Sequence, residues 1–404
     1  MAGVACGRRI EEKKFSGVAP LTDICVVKCK EAKQSLKRFY RITTSEPAYS
    51  ESDILLAVRY LWETSRKAGR PLVICIGMGT SMGGHKQGGI LGRYLQTIGD
   101  YRGIAVVTAC GNEANTSHHY RSSMMPPGTD VSVEVRVGSN DGFMIELWSE
   151  APYLYSIALV SPNGEYSGKI QARLGEKRSI SFLLDNTVVD IEYRILAYDS
   201  GDECIQIRFD NPSEGIWNIR AFNENNVTGF FDMWLPIQNF LPVTTYFLQA
   251  DPDVTLCDPS NNIYLISTAY YNSSNRSVAV DSGRGYTRSG YIKPDFASPG
   301  IDIYGPLPYA GSRYPDTEEE REILSRYASI SGSSGSTAVA AGAAALLLEW
   351  GIVRRNDITM DTVTIQKYII RGANSSGMNG TNRLWGNGTL NLYGVFESLI
   401  PMRN

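Results

Sequence analysis

The sequence is poor in histidine. Its 404 residues include three, His85, His118 and His119, so chemistry that needs an imidazole must use one of these or obtain it elsewhere. It also lacks a charge excess: 39 basic residues face 42 acidic ones, for a net charge of −3. No basic stripe breaks this balance, which argues against a nucleic-acid partner. No run approaches 18 consecutive apolar residues, so by that criterion there is no membrane span. The seven cysteines show no zinc spacing, since Cys25 and Cys29 have no second pair nearby. Their odd number, and the apolar settings of Cys25 and Cys75, predict buried free thiols in a reducing compartment. Metal-ligand and cofactor motifs are absent as well. The first residues, Met1-Ala-Gly-Val-Ala-Cys-Gly-Arg-Arg, do not show the basic-then-apolar layout of a secretion signal.

What is present is ordinary globular material, 43% hydrophobic and 20% charged, which excludes a largely disordered chain. Residues 1–127 alternate strand and helix patterns. Ile24–Val27, Leu72–Ile76 and Ile104–Ala109 read as buried strands. A helix is expected from Ser52, as N-cap, to Gly69, with Ile54, Leu55, Val58 and Leu61 on one face. This order implies parallel βαβ units. Residues 128–245 change character. Val131–Val137 alternates strictly, and Tyr193–Tyr198, Cys204–Phe209 and Trp217–Phe222 are further short strands separated by turn signals such as Pro162-Asn-Gly164. They predict an antiparallel sandwich. Residues 246–404 return to mixed character, with a helix apolar nearly all round over Ser336–Trp350 and another over Thr362–Arg371. The chain therefore reads as one α/β unit (1–127 and 246–404) interrupted by an inserted sandwich (128–245).

Two short segments carry chemistry. In Gly332-Ser-Ser334-Gly-Ser-Thr, a serine in a Gly/Ser turn directly before a buried helix is placed to act as a nucleophile beside N–H groups and a positive helix end. A plain helix-capping loop would have the same composition. In Ala109-Cys-Gly-Asn112-Glu, an asparagine after a buried strand has an amide suited to an oxyanion, and equally to a strand-end turn. His85, His118 and His119 sit among Gly, Ser, Thr and Tyr, which predicts solvated loop histidines.

Together these segments resemble the subtilisin-like serine proteases. Four blocks occur in that family's order: Gly17-Val-Ala-Pro20 with the run after it, Ala109–Asn112, Lys293-Pro-Asp-Phe-Ala-Ser-Pro-Gly300, and Gly332-Ser-Ser334 with Ala341-Gly342. The sandwich between the second and third blocks, together with Leu346-Leu-Leu-Glu-Trp-Gly351, is similar to the Csp-type germination proteases of clostridial spores, whose insertion is a jelly roll. The resemblance implies a subtilisin-like parallel sheet with flanking helices. It also implies a serine endopeptidase acting on polypeptides through an acyl-enzyme on Ser334, with Asn112 as oxyanion donor. By the same resemblance Gly77, Met78 and Gly79 form one wall of the P1 pocket and Gly111 the other. A bacterial cytoplasm or spore would be the setting. Ser333 stands where the family has Thr, Ala338 where many members have Pro, and Gly77 where Ser is usual.

The family's Asp and His lie before the Gly-Val-Ala-Pro block, and Met1-Ala2-Gly3 matches only the end of the His motif. The resemblance therefore leads us to expect an N-terminally truncated chain with little activity alone, its Asp and His carried by a separate N-terminal fragment or propeptide. The alternative is a non-catalytic pseudoprotease acting as a signalling or scaffold protein.

Overall fold

The computed structural model describes residues 1–198, 200–307 and 327–399. At its centre lies a parallel sheet. Strand Leu72–Ile76 pairs with Ile104–Ala109, which pairs with Ile266–Asn272, which pairs in turn with Phe296–Pro299. Side chains alternate across this sheet with the period of two that strands impose. Ile74, Ile76, Ile104 and Val106 face one way and pack against Val58, Leu91, Leu95 and Ile98 of helices Glu51–Ala68 and Gly89–Gly99. Ala105, Val107 and Ile266 face the other way, onto helices Ser333–Leu348 and Thr362–Gly372. Both faces are covered, as parallel sheets require.

Helix Glu51–Ala68 starts one residue before the predicted cap: Ser50, not Ser52, holds the N-cap position, and its side chain makes no capping bond. The helix ends where the sequence said, on Gly69 with φ of 62°. Helix Ser333–Leu348 is buried along most of its length because its small residues admit close neighbours. A Cβ on Gly342 would lie 2.5 Å from Cβ of Val18 and 2.8 Å from the Ala5 carbonyl oxygen. With its continuation to Val353 this helix is long and apolar enough to cross a membrane, yet most of that stretch is buried inside the protein.

Between the second and third strands of the parallel sheet the chain builds two antiparallel sheets. One contains Tyr246–Phe247, Asp130–Val137, Gly215–Asn223 and Tyr155–Val160. The other runs His119–Arg121, Phe231–Trp234, Phe143–Ser149, Glu203–Asp210, Thr187–Arg194, Lys177–Phe182. Val133, Val135 and Val137 from the first sheet meet Phe143, Ile145, Val189, Ile191 and Tyr193 from the second in one apolar core. The strand predicted over Tyr193–Tyr198 is displaced. It spans Thr187–Arg194, and Tyr198 is exposed in the following loop. The apolar run Ile195–Tyr198 continues past Arg194, where the ladder to Glu203–Asp210 ends.

A second correction concerns Ile24–Val27. This run is neither a strand nor buried: Ile24 is 53% and Val26 73% exposed. The physical reason is the lack of a ladder. Among the described residues no strand lies beside it, and the outer edge of Leu72–Ile76 is likewise unpaired. Cys25, within that run, and Cys75, on that strand, are exposed for the same reason, contrary to the expectation of burial, whereas Cys110, Cys204 and Cys257 are buried. All seven thiols are free.

Candidate active site

Ser334 is the second residue of helix Ser333–Leu348. The turn before it depends on Gly332, whose φ of 133° a side chain would rarely allow. The Gly332 N–H donates to the Gly300 carbonyl at 2.8 Å, which ties the turn to the end of the Lys293–Gly300 block. That block is itself anchored inside the protein. Lys293 Nζ donates to Asp295 Oδ2 at 2.8 Å and to the Leu265 carbonyl at 2.6 Å, and Gln366 Nε2 donates to Asp295 Oδ1 at 2.9 Å. Burial pulls the Lys293 ammonium below the usual lysine range, although Asp295 opposes the shift.

Ser334 is half-buried, and its hydroxyl donates to the Gly77 carbonyl at 2.9 Å. Asn112 sits across the turn. Its Oδ1 accepts the Ser333 N–H at 2.9 Å, which fixes the amide's orientation. Its Nδ2 donates to no group among the described residues. The Ser334 N–H, in the first helical turn, has no carbonyl four residues back to receive it. The Asn112 amide and the Ser334 N–H are thus both left with a donor free beside the Gly332 turn, the Asn112 amide anchored by Ser333. On the far side of Asn112, Gln238 Nε2 donates to its carbonyl at 3.0 Å, and the Gln238 N–H donates to Glu113 Oε2 at 3.1 Å.

Gly77, Met78 and Gly79 follow strand Leu72–Ile76, and Gly111 follows strand Ile104–Ala109. Parallel pairing therefore brings the two strand ends side by side. Sequence reasoning gave no sign of what lies between them. Cys257 fills the space: a Cβ on Gly79 would lie 2.8 Å from its Cβ, and one on Gly111 only 2.4 Å from its Sγ. Burial pushes the Cys257 thiol well above the ordinary thiol range, so it is an inert wedge there. The Met1 side chain is a second unforeseen neighbour. It crosses Gly77, whose absent Cβ would lie 2.2 Å from Met1 Cε and 3.1 Å from Ser334 Oγ.

The histidines depart from expectation. All three are buried, His85 and His119 to 1% exposure and His118 to 4%. His85 Nε2 lies 2.9 Å from the Ser81 carbonyl and its Nδ1 3.0 Å from the Leu256 carbonyl and 3.4 Å from the Asn261 amide nitrogen, while the His119 ring lies against Asp232 and the Asp251 carbonyl. Trp234 is stacked between the His85 and His119 rings, with centroids 4.0 and 4.8 Å away. His118 Nδ1 lies 3.5 Å from Glu113 Oε2. Polar sequence neighbours hid this, because Leu256, Trp234, Asp232 and Asp251, which bury and bond two of the rings, are remote in the chain. Burial drops the His85 pKa to about 3 and keeps its ring neutral. Burial opposes the charge of Asp232, yet bonds from His119 and Arg121 outweigh it and hold the carboxyl down at about 2. None of the three histidines bonds Ser334. Among the described residues, no group of three or more His, Cys, Asp or Glu side chains converges as metal ligands would.

The subtilase family model matches residues 238–388. The serine protease AprX of Bacillus subtilis (strain 168) is 32% identical over 124 residues, covering 31% of this chain and 24% of AprX. The match thus spans about a quarter of that relative's length. The CspB protease of Clostridium perfringens superposes with a TM-score of 0.83 over 100% of this chain and 80% of its own, at 27% identity. Residues 238–388 are thus subtilase-like in sequence, and the subtilisin-like sheet with flanking helices is shared with CspB along the whole chain.

Proposed function

We propose that this protein is a subtilisin-like serine endopeptidase cleaving polypeptides, with Ser334 as nucleophile and Asn112 and the Ser334 N–H as oxyanion donors. The observation that carries the reading is the pairing of Ser334, on a helix N-terminus, with an Asn112 amide whose oxygen is tied to Ser333 and whose nitrogen is left to donate. In this reading the Ser334 oxygen attacks the scissile carbonyl, the carbonyl oxygen collects negative charge between the two donors, and water later releases the acyl group. Gly77–Gly79 and Gly111 flank the P1 side chain, and the sandwich of residues 128–245 acts as an inserted rigid support.

The general base comes from outside these residues. His85 and His119 are bonded elsewhere, His118 lies buried beside Glu113, and a hydroxyl whose proton points at the Gly77 carbonyl is a weak nucleophile. A separate polypeptide segment carrying His and Asp would supply it. The unpaired edge of Leu72–Ile76 and the uncovered run Ile24–Val27 support an extended segment lying between them.

The absence of a base in reach also favours a second reading, a non-catalytic pseudoprotease. Hydrolysis of a quenched fluorescent peptide library by the protein isolated from its natural source separates the two. The enzyme reading predicts turnover that Ser334→Ala abolishes. No turnover in folded protein, or turnover unchanged by Ser334→Ala, supports the pseudoprotease.

A further inference from the structure

Away from Ser334, a cleft of about 490 Å³ opens between Arg284–Tyr286 and Asn382–Trp385. That volume lies in the range of roughly 300–1,000 Å³ typical of small-ligand sites. Its charges do not cancel. Two arginines, Arg284 and Arg383, face a single carboxylate, Asp253, and that carboxylate is ion-paired with Arg383. Arg383 also lies over the Tyr286 ring, 5.4 Å from its centroid. Arg284 has no acidic partner among the described residues. Its one side-chain bond is a long 3.5 Å contact from Nη2 to the Val280 carbonyl, and its Nε is buried with no acceptor. A desolvated guanidinium nitrogen without a partner is rare in native structures and asks for the group that completes it. A planar guanidinium fork matches a carboxylate in two-point contact. The rings of Tyr286 and Trp385 add aromatic surface beside it.

We propose that this cleft binds a carboxylate-bearing peptide segment, with its carboxylate on Arg284 and an apolar or aromatic neighbour against Tyr286 and Trp385. The backbone of Arg284 is held firmly for this. Its N–H donates to Thr255 Oγ1 at 3.0 Å, and its carbonyl accepts the Thr255 N–H at 3.0 Å. The preceding residue, Gly283, donates to the Gly111 carbonyl at 3.1 Å. The cleft therefore adjoins the loop that bears Asn112, and a peptide bound here would occupy an exosite behind the candidate active site. The inference rests on Arg284 and its surroundings and stands whether or not Ser334 is a nucleophile.

Calorimetric titration of the 404-residue chain with N-acetyl-Glu-Phe-Glu amide, its Gln-Phe-Gln counterpart, acetate and inorganic phosphate tests this. The acidic peptide is expected to bind at least about tenfold more tightly than the glutamine peptide. Arg284→Gln should weaken the acidic peptide by at least about tenfold with an unchanged melting temperature. If that variant fails to fold, the comparison of the two peptides on the unaltered protein still decides. Equal affinity for both peptides, binding of neither, or full affinity in Arg284→Gln would overturn the proposal. Acetate or phosphate binding as tightly as the acidic peptide would reduce the cleft to a small-anion site and overturn the peptide assignment.

Discussion

Asn112 serves two bonds with one amide, and substitutions can separate them. Asn112→Asp keeps an oxygen for the Ser333 N–H but replaces the free donor with a negative charge. In the active enzyme this should lower kcat by about 10²–10³ or more with little change in KM, the signature of an interaction made in the transition state. Steady-state kinetics of the purified variant checks it. Gly111 makes a structural claim at the same scale. With φ of 89° and Cys257 Sγ 2.4 Å from the position of a Cβ, Gly111→Ala should cost about 1–3 kcal/mol in backbone strain before any clash is counted. A denaturant titration reads that loss. Glu203 supplies a pH signal. It is buried, its Oε2 accepts from Ser149 and Tyr155, its Oε1 has no partner, and burial raises its pKa to about 8. The raised value means the folded state holds this proton more tightly than the unfolded chain. The stability it contributes is complete below the unfolded pKa of about 4.3 and falls as pH rises through about 8. Glu203→Gln should therefore melt higher than the parent at pH 9 and match it more closely at pH 5 in calorimetry.

The elements that sequence reasoning located best are those whose side chains repeat with a clear period. Leu72–Ile76, Ile104–Ala109 and Thr362–Gly372 fall within a residue of expectation, because their apolar pattern and their ladder or helix partners agree. Ile24–Val27 shows the opposite case: its apolar run is as strong, but a strand exists only beside a partner, and none of the described strands lies there. The histidines failed for a related reason. Burial of His85 and His119 is decided by Trp234, Leu256 and Asp232, none of which is near them in the chain. At this scale the buried Lys293–Asp295 pair gives a sharp expectation. Lys293→Ala strands a carboxylate between Ser267 and Gln366 and should destabilise the fold by about 3–5 kcal/mol, whereas Lys293→Met with Asp295→Asn should recover much of that. Unfolding curves of the single and double variants measure the difference.

Across the whole molecule, the candidate site was legible as four ordered blocks, and the fold brings Ser334, Asn112, Gly77 and Gly111 into one neighbourhood. Cys257, Gln238 and Met1 were not legible, since nothing in their local sequence marks them as neighbours of that site. The largest consequence at this scale is the open flank formed by Leu72–Ile76 and Ile24–Val27. Cys25, the exposed thiol of that run, reports on it. In the 404-residue chain it should react quickly with a maleimide, whereas Cys75, whose thiol desolvation pushes up to about 12, and the buried Cys110, Cys204 and Cys257 react slowly until unfolding. If a segment carrying the general base lies on this flank in the protein from its natural source, Cys25 should be protected there. Equal Cys25 reactivity in the two forms would contradict that docking.

The central claim, that Ser334 is a serine nucleophile activated by a base these residues do not supply, is tested most directly with a fluorophosphonate probe and mass-spectrometric mapping of the adduct. The protein from its natural source should be labelled on Ser334 and lose all labelling in Ser334→Ala. The 404-residue chain alone should react slower by a factor on the order of 10⁶, the cost of removing the histidine base. No adduct on Ser334 in folded protein from its natural source, or equally fast labelling of the isolated chain, would contradict it.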